Sequence, residues 1–140
     1  MTAINKPKVL VADDEEVIAN TLAVILNRSG FIARAVYSGE NAIEMAESFL
    51  PDMLISDVFM TGTTGIEAAT EIRAALPSCK ILLFSGQAAT NDLLQEARNR
   101  GHNFEMLAKP LHPKDLLAKL RNRLSRESSK YTPNFIDART

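Results

Sequence analysis

Short apolar runs recur along this chain at a spacing of roughly two dozen residues, the length of one strand plus one helix in a βαβ unit. That alternation restricts the chain to an α/β fold built on a parallel sheet. The runs predict strands at Lys8–Ala12, Phe31–Tyr37, Asp52–Ser56, Lys80–Phe84 and Phe104–Ala108. The first, third and fourth are apolar without alternation, as expected of strands covered by helices on both faces. The second contains Arg34 and reads as an edge. Between the strands, helical spacing links Ile18, Leu22, Ile25 and Leu26, then Ala42, Met45, Ala46 and Phe49, then Ala68, Ala69, Ile72 and Leu76. A fourth helix, Asn91–Arg100, has only Leu93, Leu94 and Ala97 to anchor it and is expected to be the most mobile. Pro113 suits a first helical turn, and Leu116, Leu117, Leu120 and Leu124 form the stripe of the last helix. The pattern stops near Ser125. We therefore expect one domain over residues 1–127 and a polar tail over 128–140, which is either a disordered end or a docking segment anchored by Tyr131, Phe135 and Ile136.

Composition narrows the function. With 140 residues, 46% of them hydrophobic, the chain can bury a core and has no room for a second folded domain. Its net charge of −1 and scattered Lys and Arg give no basic face, so nucleic acid is not expected as a direct partner. A single cysteine, Cys79, rules out an internal disulfide framework, and the start MTAINKPK lacks the apolar segment of a signal peptide. No apolar stretch is long enough to span a bilayer. These features together predict a soluble cytoplasmic protein.

The strand ends carry the chemistry. The first run stops at Asp13-Asp14, the third at Asp57, the fourth at Ser85 and the fifth at Lys109. In an open α/β sheet, functional groups gather at the carboxyl ends of strands, where the strand order reverses. Taken alone, Asp13-Asp14-Glu15-Glu16 would be helix capping and surface charge. A flavodoxin-like strand order would instead set Asp57 beside Asp13 and Asp14. Like charges 4 Å apart repel by about 4 kcal/mol at an effective dielectric near 20, so such a group calls for protonation or a cation. Mg2+, or Mn2+, suits an all-oxygen set, whereas zinc would want His or Cys; His102 and His112 read as loop or surface residues. Lys109 can pair with Asp57 and, later, with a phosphoryl oxygen. The Lys109–Pro110 bond is of the one kind in which a cis form is cheap, and that form would turn the lysine inward. Ser85, followed by Gly86, offers a hydroxyl to the same oxygens.

Asp13-Asp14, Asp57 within DVFMTGTTG, Ser85-Gly86 and Lys109-Pro110, in this order and at these separations, resemble the receiver domain of two-component response regulators. The resemblance runs from about Pro7 to Ser125. It implies a doubly wound, five-stranded parallel sheet of order 2-1-3-4-5 with five helices. It also implies that Asp57 accepts a phosphoryl group from a histidine kinase or histidine phosphotransfer protein. Asp13, Asp14, Asp57 and the backbone carbonyl of Phe59 would then hold Mg2+, while Ser85 and Lys109 would bind the phosphate. Movement of Ser85 would be coupled to a residue three before the lysine. That residue is Met106 here, where the family usually has an aromatic or histidine, and Phe104, on the same side of the strand, could share the role. Thr61 stands where proline is common and is expected to loosen the loop after Asp57. Phe59 and Gln87 flank the approach of attacking water and would tune dephosphorylation.

The expected function is a stand-alone phosphoacceptor switch, read by a downstream protein through the face of helix 4, strand 5 and helix 5, and monomeric or weakly dimeric on phosphorylation. A phosphorelay intermediate and an unphosphorylated scaffold are the alternatives. An aspartate-nucleophile phosphatase would want a second aspartate where Phe59 stands, and a flavin or nucleotide carrier would want a Gly, Ser or Thr-rich loop where ADDEE stands. The expectation is therefore a binding module that catalyses only its own phosphorylation and slow dephosphorylation.

Overall fold

The computed structural model describes residues 6–86, 90–109 and 112–131. Strands and helices alternate throughout: β1 (Lys8–Ala12), α1 (Glu16–Asn27), β2 (Ile32–Val36), α2 (Gly39–Phe49), β3 (Met53–Asp57), α3 (Gly65–Ala75), β4 (Lys80–Ser85), α4 (Thr90–Asn99), β5 (Glu105–Ala108) and α5 (Pro113–Tyr131). All strand pairs are parallel, in the order β2-β1-β3-β4-β5. The order reverses between β1 and β3, which fixes where their carboxyl ends open a crevice.

The apolar runs explain the layers. One sheet face presents Leu10, Leu54, Ile81 and Leu83 to α2, α3 and α4, which contribute Ala46 and Phe49, Ala69 and Ile72, and Leu94 and Ala97 to a shared core. Val9, Val11, Ile55, Leu82 and Phe84 alternate with these and are also buried, and α1 packs on β1 and β2 with Ala19, Ala23 and Leu26 inward. Burying each such Val, Leu or Ile side chain stabilises the fold by roughly 1.5–3 kcal/mol. β2 lies at the edge with Ile32 and Arg34 exposed and Ala33 and Val36 buried, in keeping with the charge in its sequence.

Element ends differ from the sequence pattern where aromatic and polar residues mislead. Phe31 and Tyr37 fall outside β2, and Phe104 outside β5, because their apolar side chains pack without joining the ladder. Asp57 and Ser85 lie inside β3 and β4, paired with Phe84 and Ala108, because backbone pairing is indifferent to a polar side chain at a strand end. The helix expected at Asn91 begins at Thr90, with Leu94 and Ala97 buried and Leu93 partly so.

α5 belongs to a second compact unit. Pro113 occupies its first turn, the His112 Nδ1 accepts the Lys114 N–H at 3.1 Å, and Leu116 and Leu120 are buried. It continues past Ser125 to Tyr131, so residue 127 falls within a helix. Residues 132–140, with Phe135 and Ile136, lie outside the described residues. No helix, among the described residues, is long and apolar enough to cross a membrane.

Cys79 is buried just before β4, and burial pushes its thiol up to about 11. The expected result is no alkylation of the native protein by iodoacetamide at pH 8 and rapid alkylation once urea unfolds it; comparable rates in both states would contradict this burial.

Candidate functional site

The ladders place the site residue by residue. Ala12 is level with Ser56, so Asp13 and Asp57 leave β1 and β3 side by side. Asp57 is level with Phe84 on β4 and Ser85 is level with Ala108 on β5, which puts Lys109 just past the end of β5, two positions beyond the row of Asp57, at the same sheet edge. Asp13, Asp14 and Asp57 each offer a carboxylate oxygen, and these atoms lie within 4.8 Å of one another. The Lys109 Nζ stands 3.4 Å from Asp57 Oδ2 and 3.7 Å from Asp13 Oδ2. It thus serves both buried acids and not Asp57 alone. The ammonium also lies over the Phe84 ring, 5.1 Å from its centroid.

The electrostatics follow from burial. Asp13 and Asp57 are buried, Asp14 exposed. Burial raises the Asp13 carboxyl above its ordinary value, against the opposing pull of the Glu15 N–H on Oδ1 and of Lys109. Asp57 is likewise raised by burial, against the attraction of Lys109, while the neighbouring Asp13 charge adds to the rise. Asp13 Oδ2 is buried without a hydrogen-bond partner. A buried acceptor oxygen left in this state, beside two further carboxylates, fits a hard divalent cation with oxygen ligands.

Backbone contacts hold the Asp57 end of β3 in place. Ser56 Oγ donates to the Asp57 carbonyl at 2.9 Å, the Val58 N–H to the Phe84 carbonyl at 3.1 Å, and the Gly65 N–H to the Val58 carbonyl at 2.8 Å. α3 starts with a capping box in which Thr64 Oγ1 accepts the Glu67 N–H and the Glu67 carboxylate accepts the Thr64 N–H. At the other edge, Ser85 is buried and its carbonyl accepts the Lys109 N–H at 3.1 Å.

The remaining sequence-selected residues divide. Phe59 is half-buried against the core, two residues beyond Asp57. Met106 is half-buried on β5 and touches the same core. Phe104 is buried ahead of the strand, with the His102 ring parallel to it at 6.0 Å and the Arg73 guanidinium 5.3 Å from its centroid. Those contacts tie Phe104 to the end of α3. Gln87 and Pro110, and with Pro110 the question of a cis bond, lie outside the described residues. A hollow of about 420 Å³ between α3 and α4, lined in part by Glu67, Glu71, Glu96 and His102, includes none of Asp13, Asp14, Asp57 and Lys109 and plays no part in the site.

Three contacts escaped the sequence. Thr61 does not leave its loop slack: its N–H and Oγ1 reach Asp14 Oδ2 at 3.2 and 3.4 Å, and a proline there would have no N–H to give. Glu40, at the start of α2, accepts from Thr63 in the same loop. Gly65 sits so close to Asp57 that a Cβ would fall 2.0 Å from the Asp57 carbonyl oxygen. The segment DVFMTGTTG shows these residues but not their partners, because the pairings with Asp14 and Glu40 join distant positions with no local signal.

Comparison with known proteins agrees with this geometry. The response regulator receiver domain family matches residues 9–121. The DNA-binding response regulator MtrA of Mycolicibacterium smegmatis is 27% identical over 86% of this chain and 52% of its own length. The transcriptional regulatory protein PdtaR of Mycobacterium tuberculosis is 35% identical over 85% of this chain and 57% of its own length. The chain thus spans about half the length of the curated relatives it matches. A CheY-like receiver domain protein from Methanospirillum hungatei superposes with a TM-score of 0.81 at 20% identity, covering 90% of this chain and 99% of that one, a likeness of fold. The strand order, the acids at the switch point and the match across residues 9–121 together make this chain a member of the response regulator receiver domain family.

Proposed function

We propose that this chain is a phosphoacceptor switch in which Asp57 takes a phosphoryl group from a phosphohistidine of a kinase or phosphotransfer protein and signals by protein contact. The observation that carries the reading is the meeting of Asp13, Asp14, Asp57 and Lys109 at one sheet edge. Asp57 Oδ forms the new P–O bond as the donor's P–N bond breaks, and the imidazole leaves with the electron pair. The transition state spreads charge over three equatorial oxygens, so the protein's work is positioning and neutralisation. Lys109, already beside Asp57, would stabilise one of those oxygens, and the buried Ser85 hydroxyl another. Asp13, Asp14, Asp57 and the Phe59 carbonyl would hold Mg2+ or Mn2+, which when bound supplies further charge neutralisation. Phe59 offers no acid or base two residues after Asp57, so the protein is a switch and not a turnover phosphatase. MtrA is named DNA-binding as a whole protein; the output proposed for the present chain is contact with another protein, in the cytoplasm.

Acetyl phosphate with Mg2+ tests this by intact mass. Wild type should gain one phosphoryl group, and Asp57→Asn or removal of divalent cations should abolish the gain. No gain in wild type would leave the scaffold reading, and a gain retained by Asp57→Asn would move the acceptor elsewhere.

A further inference from the structure

We propose that Glu40, at the start of α2, is a positioning residue for the Asp14 arm of the cation site and acts through the loop that follows Asp57. The inference rests on reading Asp13, Asp14 and Asp57 as that site.

Asp14 is the exposed acid of the three, and Thr61 holds it, donating both N–H and Oγ1 to Oδ2. Thr61 belongs to the loop between β3 and α3, and two residues further on the same loop is gripped from another element. Glu40 Oε2 accepts the Thr63 N–H at 3.1 Å and the Thr63 hydroxyl at 3.0 Å. Between the two threonines lies Gly62, with φ of 84°, where a Cβ would come 2.7 Å from Glu40 Oε2. The backbone therefore runs directly against the carboxylate, and any side chain at 62 would push it off. Gly39 makes the reverse approach: a Cβ there would lie 2.7 Å from the Thr63 carbonyl oxygen. The first turn of α2 and this loop are thus built to touch.

The grip is electrostatically durable. The Glu40 carboxylate also accepts its own backbone N–H, and with the two Thr63 donors this holds its carboxyl below the ordinary carboxylate range. Ser38 caps the same turn by accepting the Asn41 N–H at 3.0 Å, so Glu40 stands on an ordered helix start. The capping box of Thr64 with Glu67 fixes the far end of the loop. With Thr63 tied to Glu40 and Thr64 to α3, a single glycine separates the fixed stretch from Thr61, and the Thr61 N–H is thereby aimed at Asp14. Freeing Thr63 would release that N–H and leave the Asp14 carboxylate to rotate, a loss of ligand orientation of the kind that outer partners of metal ligands prevent.

Titration of the purified protein with Mn2+ alone, followed by electron paramagnetic resonance, tests the proposal without any phosphoryl chemistry. Glu40→Ala should weaken Mn2+ binding about tenfold while Tm shifts by little, and Glu40→Gln, which keeps an acceptor oxygen without the charge, should stay within about twofold of wild type. Thr63→Val, which loses one of the two donors, should fall between them. Wild-type affinity in Glu40→Ala overturns the proposal, and if that variant does not fold, wild-type affinity in Thr63→Val does the same. A Glu40→Gln loss as large as that of Glu40→Ala also overturns it, because charge at a distance and not positioning would then be the cause. If wild type itself binds no Mn2+, the cation-site reading fails first.

Discussion

Gly65→Ala is expected to lose about 3 kcal/mol or more of stability, the upper range for forced overpacking in a closed space. The added methyl would lie 2.0 Å from the Asp57 carbonyl oxygen and 2.9 Å from both the Asp57 carbonyl carbon and Ser56 Oγ. Those are backbone atoms and a buried hydroxyl that already donates to the same carbonyl, so none can rotate out of the way. The strain must either pull α3 from the end of β3, breaking the bond from the Gly65 N–H to Val58, or twist the Asp57 peptide. Either outcome reaches the chemistry, because the Asp57 side chain hangs from that peptide. Urea unfolding with the linear extrapolation measures the loss, and a change below about 1 kcal/mol would mean that the close approach is absent.

Lys109→Met should lower the rate of phosphoryl transfer from acetyl phosphate by about 100-fold or more, the usual cost of removing one preorganised charge-stabilising donor. It should also change how stability depends on pH. Burial already lifts the Asp13 and Asp57 carboxyls above 3.8, and Lys109 restrains that rise. Without the ammonium both rise further. An acid whose folded-state pKa exceeds its unfolded value destabilises the fold when ionised. The penalty is complete above the folded pKa and vanishes below the unfolded one. In EDTA, therefore, Lys109→Met should be less stable than wild type at pH 7 and recover part of the difference as the pH is lowered through the raised folded-state pKa values of these acids. A variant within tenfold of the wild-type rate, or with an unchanged pH profile, would remove Lys109 from this role.

Much of this arrangement is written in the order of residue types. β1, β3 and β4 could be read because a strand buried on both faces must be apolar throughout, and Val9–Val11, Met53–Ile55 and Ile81–Phe84 leave no other period to fit. The strand order brings Asp13, Asp14, Asp57 and Lys109 together, because residues at the ends of neighbouring parallel strands have nowhere else to go. The errors share a cause too. Apolar pattern reports burial and not backbone pairing, so it extends the strands over the adjoining Phe31, Tyr37 and Phe104 and stops short of Asp57 and Ser85. From Ser125 to Tyr131 the helix continues on backbone bonding and residue propensity without a stripe to announce it. The Asp14–Thr61 and Glu40–Thr63 contacts are invisible in the sequence because a carboxylate–amide pair between distant segments leaves no periodicity at all. The Thr61 N–H acquires a purpose only with Asp14 opposite it.

The seclusion of Cys79 has a practical outcome for anyone who wishes to watch this molecule respond. Its sulfur is shielded from solvent and burial raises its pKa, so the natural sequence should behave toward maleimides and nitroxide reagents as though it carried no thiol. A cysteine introduced anywhere on the outside would then be a unique attachment point, and spectroscopic labels could follow motion on either flank of the sheet without first rebuilding its interior.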